Sequence, residues 1–264
     1  MRQENTGNAI TAVKYLKDRV AIYFGKTKVE LSPDLFSSSY YYVGKVISDQ
    51  ELEKLMIDVQ VDFALKYAKS LLAKKEMSEW DVRNKLYDKE FTKDIVDLAI
   101  KKLKKEKLID DKRLAKEIVQ YLNEKLYGKN RIIQELRLRG IFDETIQLIK
   151  FSEASELKKA KKILPKFEKQ YADLNNVEKK QHIYNALIRY GYSNDIALEV
   201  TKKIKNNSPV RESNQLRRDF AVAIDKGMRQ YKTEDGLKAY VFRTLSAKGY
   251  KMSDIRNVWE NNKK

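Results

Sequence analysis

Two hydrophobic periods divide the chain. Between residues 10 and 31 apolar and polar positions alternate with period two, the mark of half-buried strands. Arg19-Val20-Ala21-Ile22-Tyr23-Phe24, then Gly25-Lys26-Thr27, then Lys28-Val29-Glu30-Leu31 predicts a hairpin around a glycine-containing turn. Thr11 to Leu16 predicts a third strand. Ser32 before Pro33 predicts a short helix, with the hydroxyl as N-cap and the proline in the first turn. Ser48-Asp49-Gln50-Glu51 has capping-box spacing and opens a further helix. From about residue 61 the period becomes 3.6. Ala64, Leu65, Ala68, Leu71 and Leu72 make one stripe, and Ile95, Val96, Ala99, Ile100 and Leu103 a second. Leu114, Ala115, Ile118, Val119, Leu122 and Leu126 make a third.

The helical part repeats. Leu136-x-x-x-Gly140-Ile141 precedes Ile146, Leu187-x-x-x-Gly191-Tyr192 precedes Ile196, and Leu245-x-x-x-Gly249-Tyr250 precedes Ile255. Leu86-x-x-x-Glu90-Phe91, before Ile95, fits with Glu in the Gly position. Each reads as a helix end, a residue suited to left-handed backbone, a bulky apolar residue and a new helix. Ser193-Asn194-Asp195 and Ser253-Asp254 are the expected N-caps of the helices that follow. Three of the six glycines beyond residue 60 fall on this one position, which argues against chance. Units of about 50 residues with three short helices each bury little alone, so neighbours must share a core. The expected fold is mainly α: tandem three-helix repeats in an elongated, curved array behind a small N-terminal α+β module. The expected divisions are 1–60, 61–109, 110–155, 156–207 and 211–264, with Asn206-Asn207-Ser208-Pro209 as a linker.

Composition agrees with solvated helices: 35% of residues are charged, and there are nine Gly and three Pro in 264 residues. Absence of Cys removes disulfides and thiolate metal sites. No apolar run approaches the ~20 residues of a membrane span, and the N-terminus lacks the order of a secretory leader. A cytoplasmic protein without membrane contact is expected. The net charge of +17 lies wholly beyond residue 60, because residues 1–60 hold eight basic and eight acidic residues. Such an excess attracts polyanions without sequence preference, or is simply a soluble Lys-rich surface.

Reactive motifs are missing. There is no phosphate-binding glycine loop and no Cys nucleophile, and the only His, His182, lies beside Ile183 in a helical stripe. No enzyme activity, cofactor or metal is expected. Asp110-Asp111 reads better as a helix start, with a cap and favourable charge at the positive end of the dipole, than as a carboxylate metal site.

These residues resemble the RecX family of regulatory proteins. Leu108-Ile109-Asp110-Asp111 with Leu114-Ala115 resembles the turn into that family's second repeat. Tyr127-Gly128-Lys129-Asn130-Arg131-Ile132-Ile133-Gln134-Glu135-Leu136 with Arg139-Gly140-Ile141 resembles its central helix and exit. Ser78, Val82, Lys85, Leu86, Phe91 and Ile95 resemble the first repeat, with Glu90 departing from the usual Gly. The likeness is good over about 61–150 and weaker over 156–264. It implies tandem three-helix repeats that bind the RecA recombinase, lie in the groove of its DNA filament, and depress ATP hydrolysis and strand exchange. Roles in homologous recombination, DNA repair and the SOS response follow from it, as does contact with single- and double-stranded DNA. A monomer is expected. A sequence-nonspecific DNA-binding protein and a helical adaptor for another protein remain as alternatives.

The central helix of the second repeat is the candidate contact surface. At 100° per residue Ile132, Ile133 and Leu136 share the buried side, while Arg131, Gln134, Glu135 and Leu138 lie opposite and Arg137 and Arg139 flank. Lys129, Arg131, Arg137 and Arg139 are the candidate contacts to DNA phosphates or acidic patches on RecA, with Arg217 and Arg218 as further basic groups. Leu138 either touches a neighbouring repeat or anchors a protein partner. Arg131 and Glu135 have the spacing of an i,i+4 pair. Lys101, Lys102, Lys104, Lys105, Lys158, Lys159, Lys161 and Lys162 read as solvated charges. Tyr121, Tyr127, Tyr184, Tyr190 and Tyr192 suit core packing better than base stacking. Gly128, Gly140, Gly191 and Gly249, with Asp110 and Asp111, are structural candidates, Gly128 either allowing close backbone approach or merely breaking the chain.

Overall fold

The computed structural model describes residues 8–262. The start of the expected head (1–7), where the leader reading begins, and the last two residues of the expected final repeat lie outside them. The head holds β1 (Asn8–Ala9), β2 (Ala12–Tyr15), β3 (Val20–Phe24), β4 (Thr27–Leu31), α1 (Pro33–Ser37) and β5 (Val46–Ile47). Strands β2, β3 and β4 form an antiparallel sheet in that order, with Ala12 opposite Tyr23 and Val20 opposite Leu31. This is the expected hairpin with its third strand, turned at Gly25, whose φ is +59°. A two-residue pairing of β1 with β5 adds a second small sheet, too short to leave a periodic signal in the sequence. Ile22, Phe24, Val29 and Leu31 bury against Ile10, Ile47 and Leu55. Ser32 caps α1 through Leu35 N–H at 3.1 Å.

Helix α2 (Asp49–Leu72) opens on the expected capping box: Ser48 N–H donates to Glu51 Oε2 at 2.7 Å and Glu51 N–H to Ser48 Oγ at 3.2 Å. It then runs 24 residues without a break through the change of hydrophobic period. Leu55 buries in the head, whereas Val61, Ala64 and Ala68 bury in the helical core beyond it.

Behind α2 come α3 (Glu79–Tyr87), α4 (Lys93–Lys105), α5 (Asp111–Glu124), α6 (Lys129–Leu138), α7 (Asp143–Gln147), α8 (Glu153–Gln170), α9 (Asn176–Arg189), α10 (Asn194–Lys202), α11 (Pro209–Gln230), α12 (Glu234–Ala247) and α13 (Met252–Asn261). The chain forms two compact units: Met1–Glu117 with Leu136–Gln147, and Ile118–Glu135 with Leu148–Lys264. In the first, α2 to α4 enclose Val82, Leu86, Val96, Ala99 and Leu103. In the second, α8 to α10 enclose Ile163, Phe167, Ile183, Leu187 and Val200, and α11 to α13 enclose Phe220, Val241, Leu245 and Trp259. Every residue of the expected second stripe is buried, whereas Leu65, Leu71, Leu72, Ile118, Val119 and Leu126 are only half-buried.

The four expected helix ends share one geometry. Phe91, Ile141, Tyr192 and Tyr250 donate back to the carbonyls of Leu86, Leu136, Leu187 and Leu245 at 3.3, 3.0, 3.1 and 3.2 Å. Inside that bond, Glu90, Gly140, Gly191 and Gly249 donate to Tyr87, Arg137, Ile188 and Ser246. Their φ values are +62°, +69°, +91° and +92°. This is the Schellman stop, which satisfies two carbonyls that a helix end leaves without partners. The next helix begins three residues on, at Lys93, Asp143, Asn194 and Met252. The turn, not the residue type, therefore fixes the start. Ser193 is the N-cap of α10, but Ser253 and Asp254 are not caps: they lie inside the first turn of α13, behind Lys251. The expected linker is pinned as well. Asn207 N–H donates to Asn176 Oδ1 at 2.6 Å and its amide to Leu174 O at 3.0 Å, and Ser208 caps α11.

The three glycines do more than turn. A Cβ on Gly140 would lie 2.6 Å from Trp80 Cβ, and one on Gly249 2.6 Å from Val177 Cβ. One on Gly191 would run into the backbone and Cβ of Arg131. Trp80, Arg131 and Val177 all lie in the first turns of α3, α6 and α9, the central helices one set earlier. A carboxylate completes each joint. Asp111 Oδ1 accepts from Glu79 N–H at 2.9 Å, Glu156 Oε2 from Lys129 N–H at 2.7 Å, and Glu212 Oε1 from Asn176 N–H at 3.2 Å. Each donor is the first residue of a central helix, and each acceptor sits in the first turn of the next set. Glu90 is exposed. It ends α3 of the first set, ahead of which no earlier central helix lies among the described residues, so a side chain is accommodated there.

Candidate partner-binding surface at the sixth helix

Helix α6 is held at its start. At its start Gly128 is buried, and its N–H donates to Tyr190 O at 2.7 Å while Asn130 N–H donates to Gly191 O at 3.0 Å. A Cβ on Gly128 would sit 2.5 Å from the Gly191 carbonyl carbon, so close backbone approach is the reason for this glycine. Glu156, which caps Lys129 N–H, is 5% exposed. Its other oxygen pairs with Lys159 Nζ at 2.6 Å, and that ammonium also donates to Asn123 Oδ1 and Tyr127 O at 2.7 and 2.8 Å. Lys159, its side chain 11% exposed, is thus a largely sheltered, satisfied partner and not the solvated charge the sequence suggests. Tyr192 adds a hydrogen bond to Leu126 O at 2.7 Å. Burial, then the nearby Glu156 charge, push its phenol far above the ordinary value.

Along α6, Ile132 and Leu136 are buried and Ile133 half-buried, as the helical wheel requires. Arg131 is half-buried; its guanidinium donates to Gln134 Oε1 at 3.3 Å. Lys129 is exposed, its ammonium 5.8 Å from the Phe151 ring centre. The exposed groups gather at the helix exit. Arg137 pairs with Asp143 at 3.0 Å, both well exposed, an arrangement worth only ~0–1 kcal/mol and easily exchanged for a partner's carboxylate or phosphate. Leu138 is 66% exposed, and Arg139 is exposed. Past the Gly140 stop, Phe142 is 47% exposed, and Trp80, seated on Gly140, is 45% exposed. Exposed apolar and aromatic side chains set among arginines have the make-up of protein-interface anchors.

Sequence reasoning missed Trp80 and Phe142. Phe142 did leave a signal: it directly precedes α7, the position that polar Thr92 and Ser193 hold before α4 and α10. Arg217 and Arg218 are exposed on α11. Lys101, Lys102, Lys105, Lys158 and Lys162 are exposed, while Lys104 pairs with Glu79 at 2.6 Å. Tyr127 stacks on Tyr190 with centres 5.0 Å apart, Tyr192 is buried, and Tyr121 is 58% exposed beneath Lys125. His182 is exposed and packs on Tyr171.

Asp110 caps α5 through Arg113 N–H at 3.0 Å, while Asp111 reaches back to Glu79. Burial raises the Asp111 carboxyl above its usual value against the pull of that hydrogen bond. Burial acts on Glu79 too, but hydrogen bonds from Lys104 and Arg83 outweigh it and the net shift is downward. Among the described residues no three His, Cys, Asp or Glu side chains are placed to hold a metal ion, and no helix is long and apolar enough to cross a membrane.

Comparison with known proteins agrees in detail with this architecture. Residues 64–103 match the family described as RecX, first three-helix domain, and residues 110–148 match RecX, second three-helix domain. A Regulatory protein RecX from Haemophilus ducreyi is 30% identical over 133 residues, 50% of this chain and 86% of its own length. One from Haemophilus influenzae strain PittEE is 29% identical over 134 residues, 50% of this chain and 88% of its own length. The crystal structure of a regulatory protein RecX superposes with a TM-score of 0.60 at 21% identity, covering 74% of this chain and 99% of its own. That of RecX from Lactobacillus salivarius gives 0.50 at 23% identity, covering 55% and 96%. At those identities the two structures speak for the fold.

Proposed function

The chain belongs to the RecX family, and from that premise we propose that it is a non-catalytic modulator of the RecA recombinase. It binds RecA and its DNA filament and lowers ATP hydrolysis and strand exchange. In this reading it works in the cytoplasm as a monomer, in recombination and repair, and the relatives' designation as regulatory proteins supports a role without catalysis. The helical part divides at 61–109, 110–155, 156–207 and 211–264, behind a head of residues 1–60.

The observation that carries the reading is the exposed group at the end of α6. Arg137, Leu138 and Arg139 project from within the stretch 110–148 that matches the family, at a helix end closed by the Gly140 stop against Trp80. A preorganised helix end loses little side-chain and backbone freedom on binding. Lys129, Arg131, Arg217 and Arg218 supply further positive charge toward DNA phosphates or acidic patches on RecA. Exposed Lys101, Lys102 and Lys105 on the last turns of α4 favour a second reading, sequence-nonspecific DNA binding.

The test is ATP hydrolysis by the cognate RecA on saturated single-stranded DNA at fixed salt, with this protein titrated below one molecule per RecA. Strong inhibition at such ratios supports filament-directed modulation. Inhibition only when the added protein suffices to cover the DNA favours the second reading.

A further inference from the structure

The last helix set carries a groove of which the RecA reading uses only Arg217, at the border. It lies along α11 and α13 and has a volume of about 1270 Å³. Two turns of an α-helix about 10 Å across occupy roughly 850 Å³, so a helical segment fits. Phe220, Ile224, Met228, Val258 and Trp259 supply apolar lining. Met228 is 65% exposed although apolar. In the last set Trp259 stands edge to face against Phe220 and Phe242, with ring centres 6.1 and 6.0 Å away. Beside these rings the groove stays open between α11 and α13.

The charge lining this groove is opposite to that of the protein. The chain carries +17, yet Glu212, Asp225, Glu234 and Asp254 border the groove against one lining cation, Arg217, with Glu212 also accepting from Asn176 N–H and Asp225 also paired with Arg229 at 2.8 Å. The other basic residues of α11, Arg211, Arg218, Lys226 and Arg229, do not line it. A phosphate backbone is repelled by such a border, whereas a cationic helix with an apolar stripe satisfies both lining and border. We propose that the groove between α11 and α13 binds a basic amphipathic helix of a protein partner. This goes beyond RecA modulation and stands or falls independently of it.

The full chain bearing Trp80→Phe keeps Trp259 as its sole tryptophan, a reporter inside the groove. The probes are two synthetic 14-residue helical peptides with leucine at i, i+3, i+4 and i+7 spacing, one filled with lysine and the other with glutamate. The expected result is a saturable change in Trp259 fluorescence with the lysine peptide and at least tenfold weaker binding of the glutamate peptide. Asp225→Lys with Met228→Gln, both at exposed positions, should weaken the lysine peptide at least tenfold while helicity stays unchanged. No response to the lysine peptide overturns the proposal, as does equal binding of both peptides or indifference to the double substitution. Sedimentation at rising protein concentration supplies the remaining arm. Self-association abolished by the same substitutions would make a second copy the occupant and overturn the proposal.

Discussion

Gly140, at the end of α6, lies against Trp80, in the first turn of α3, with no space between them for a methyl group. Two demands meet on this residue, a φ of +69° and the indole beside it. Gly140→Ala should cost about 2–4 kcal/mol, of which ~1–2 is the left-handed backbone and the remainder the clash. Trp80→Ala in the same chain should recover the clash component alone. Denaturant melts of the single and double variants check this, and an unchanged Gly140→Ala midpoint would remove the joint from the stability of the fold.

Glu90 supplies the converse. It takes φ of +62° with an exposed side chain. Glu90→Gly should therefore leave the protein as stable or stabilise it by up to ~1 kcal/mol, since backbone strain is relieved and no contact is lost. A loss larger than 1 kcal/mol in the same melts would contradict the equivalence of the four helix ends.

The buried pair behind α6 should be the costliest polar contact to break. Glu156→Ala strands the Lys159 ammonium, whose side chain is 11% exposed, and leaves Lys129 N–H without its cap. A loss of about 3–5 kcal/mol is expected. Glu156→Ala combined with Lys159→Met should cost less than Glu156→Ala alone, because the uncompensated charge is gone. A double-mutant cycle measures the coupling, and additivity within ~0.5 kcal/mol would sink this account.

The joint between α3 and α5 should respond to acid in two opposite ways. The folded Asp111 carboxyl is raised by burial, so ionised Asp111 opposes folding, and that opposition is relieved as pH falls through the raised value toward the ordinary 3.8. Glu79 is lowered, so its contribution is complete above 4.5 and lost as pH falls through the lowered value. Wild type should gain stability relative to Asp111→Asn between neutrality and about pH 4. Below 4.5 it should lose stability relative to Glu79→Gln. Urea melts across this range report both signs.

On the functional side, charge reversal at Arg137 and Arg139 should weaken binding to a RecA filament at least tenfold with helicity intact. Leu138→Ala should cost a further ~1–2 kcal/mol if that side chain anchors the contact. Filament pull-down beside circular dichroism separates binding from folding, and unchanged affinity would take the end of α6 out of the interface.

Local rules were enough for most elements. The hairpin, the caps at Ser32 and Ser48 and the helix ends at Gly140, Gly191 and Gly249 follow from turn chemistry and period, each set within a few residues. What connects one helix set to another was not legible. Asp111 read only as part of a helix start, and Glu156 and Glu212 did not stand out, because the N–H groups they cap lie 32, 27 and 36 residues away. Lys159 read as one lysine among many, since burial of its ammonium depends on Asn123 and Tyr127 arriving from another helix. Exposure at Trp80 and Phe142 escaped for a similar reason: hydrophobicity predicts burial, and only the fold decides which hydrophobic residues find no neighbour.

The unbroken α2 makes the head and the first helix set two wheels on one axle. Both Leu55 and Val61 are keyed to it, one to each wheel. Each residue inserted between Val59 and Gln60 would turn the head by 100° and advance it by about 1.5 Å while leaving the sequence of each core unchanged. A ladder of one-, two-, three- and four-residue insertions therefore dials the head around the body. Any activity that needs both to face one partner should fade through the first steps and return near the fourth, as the rotation comes almost full circle.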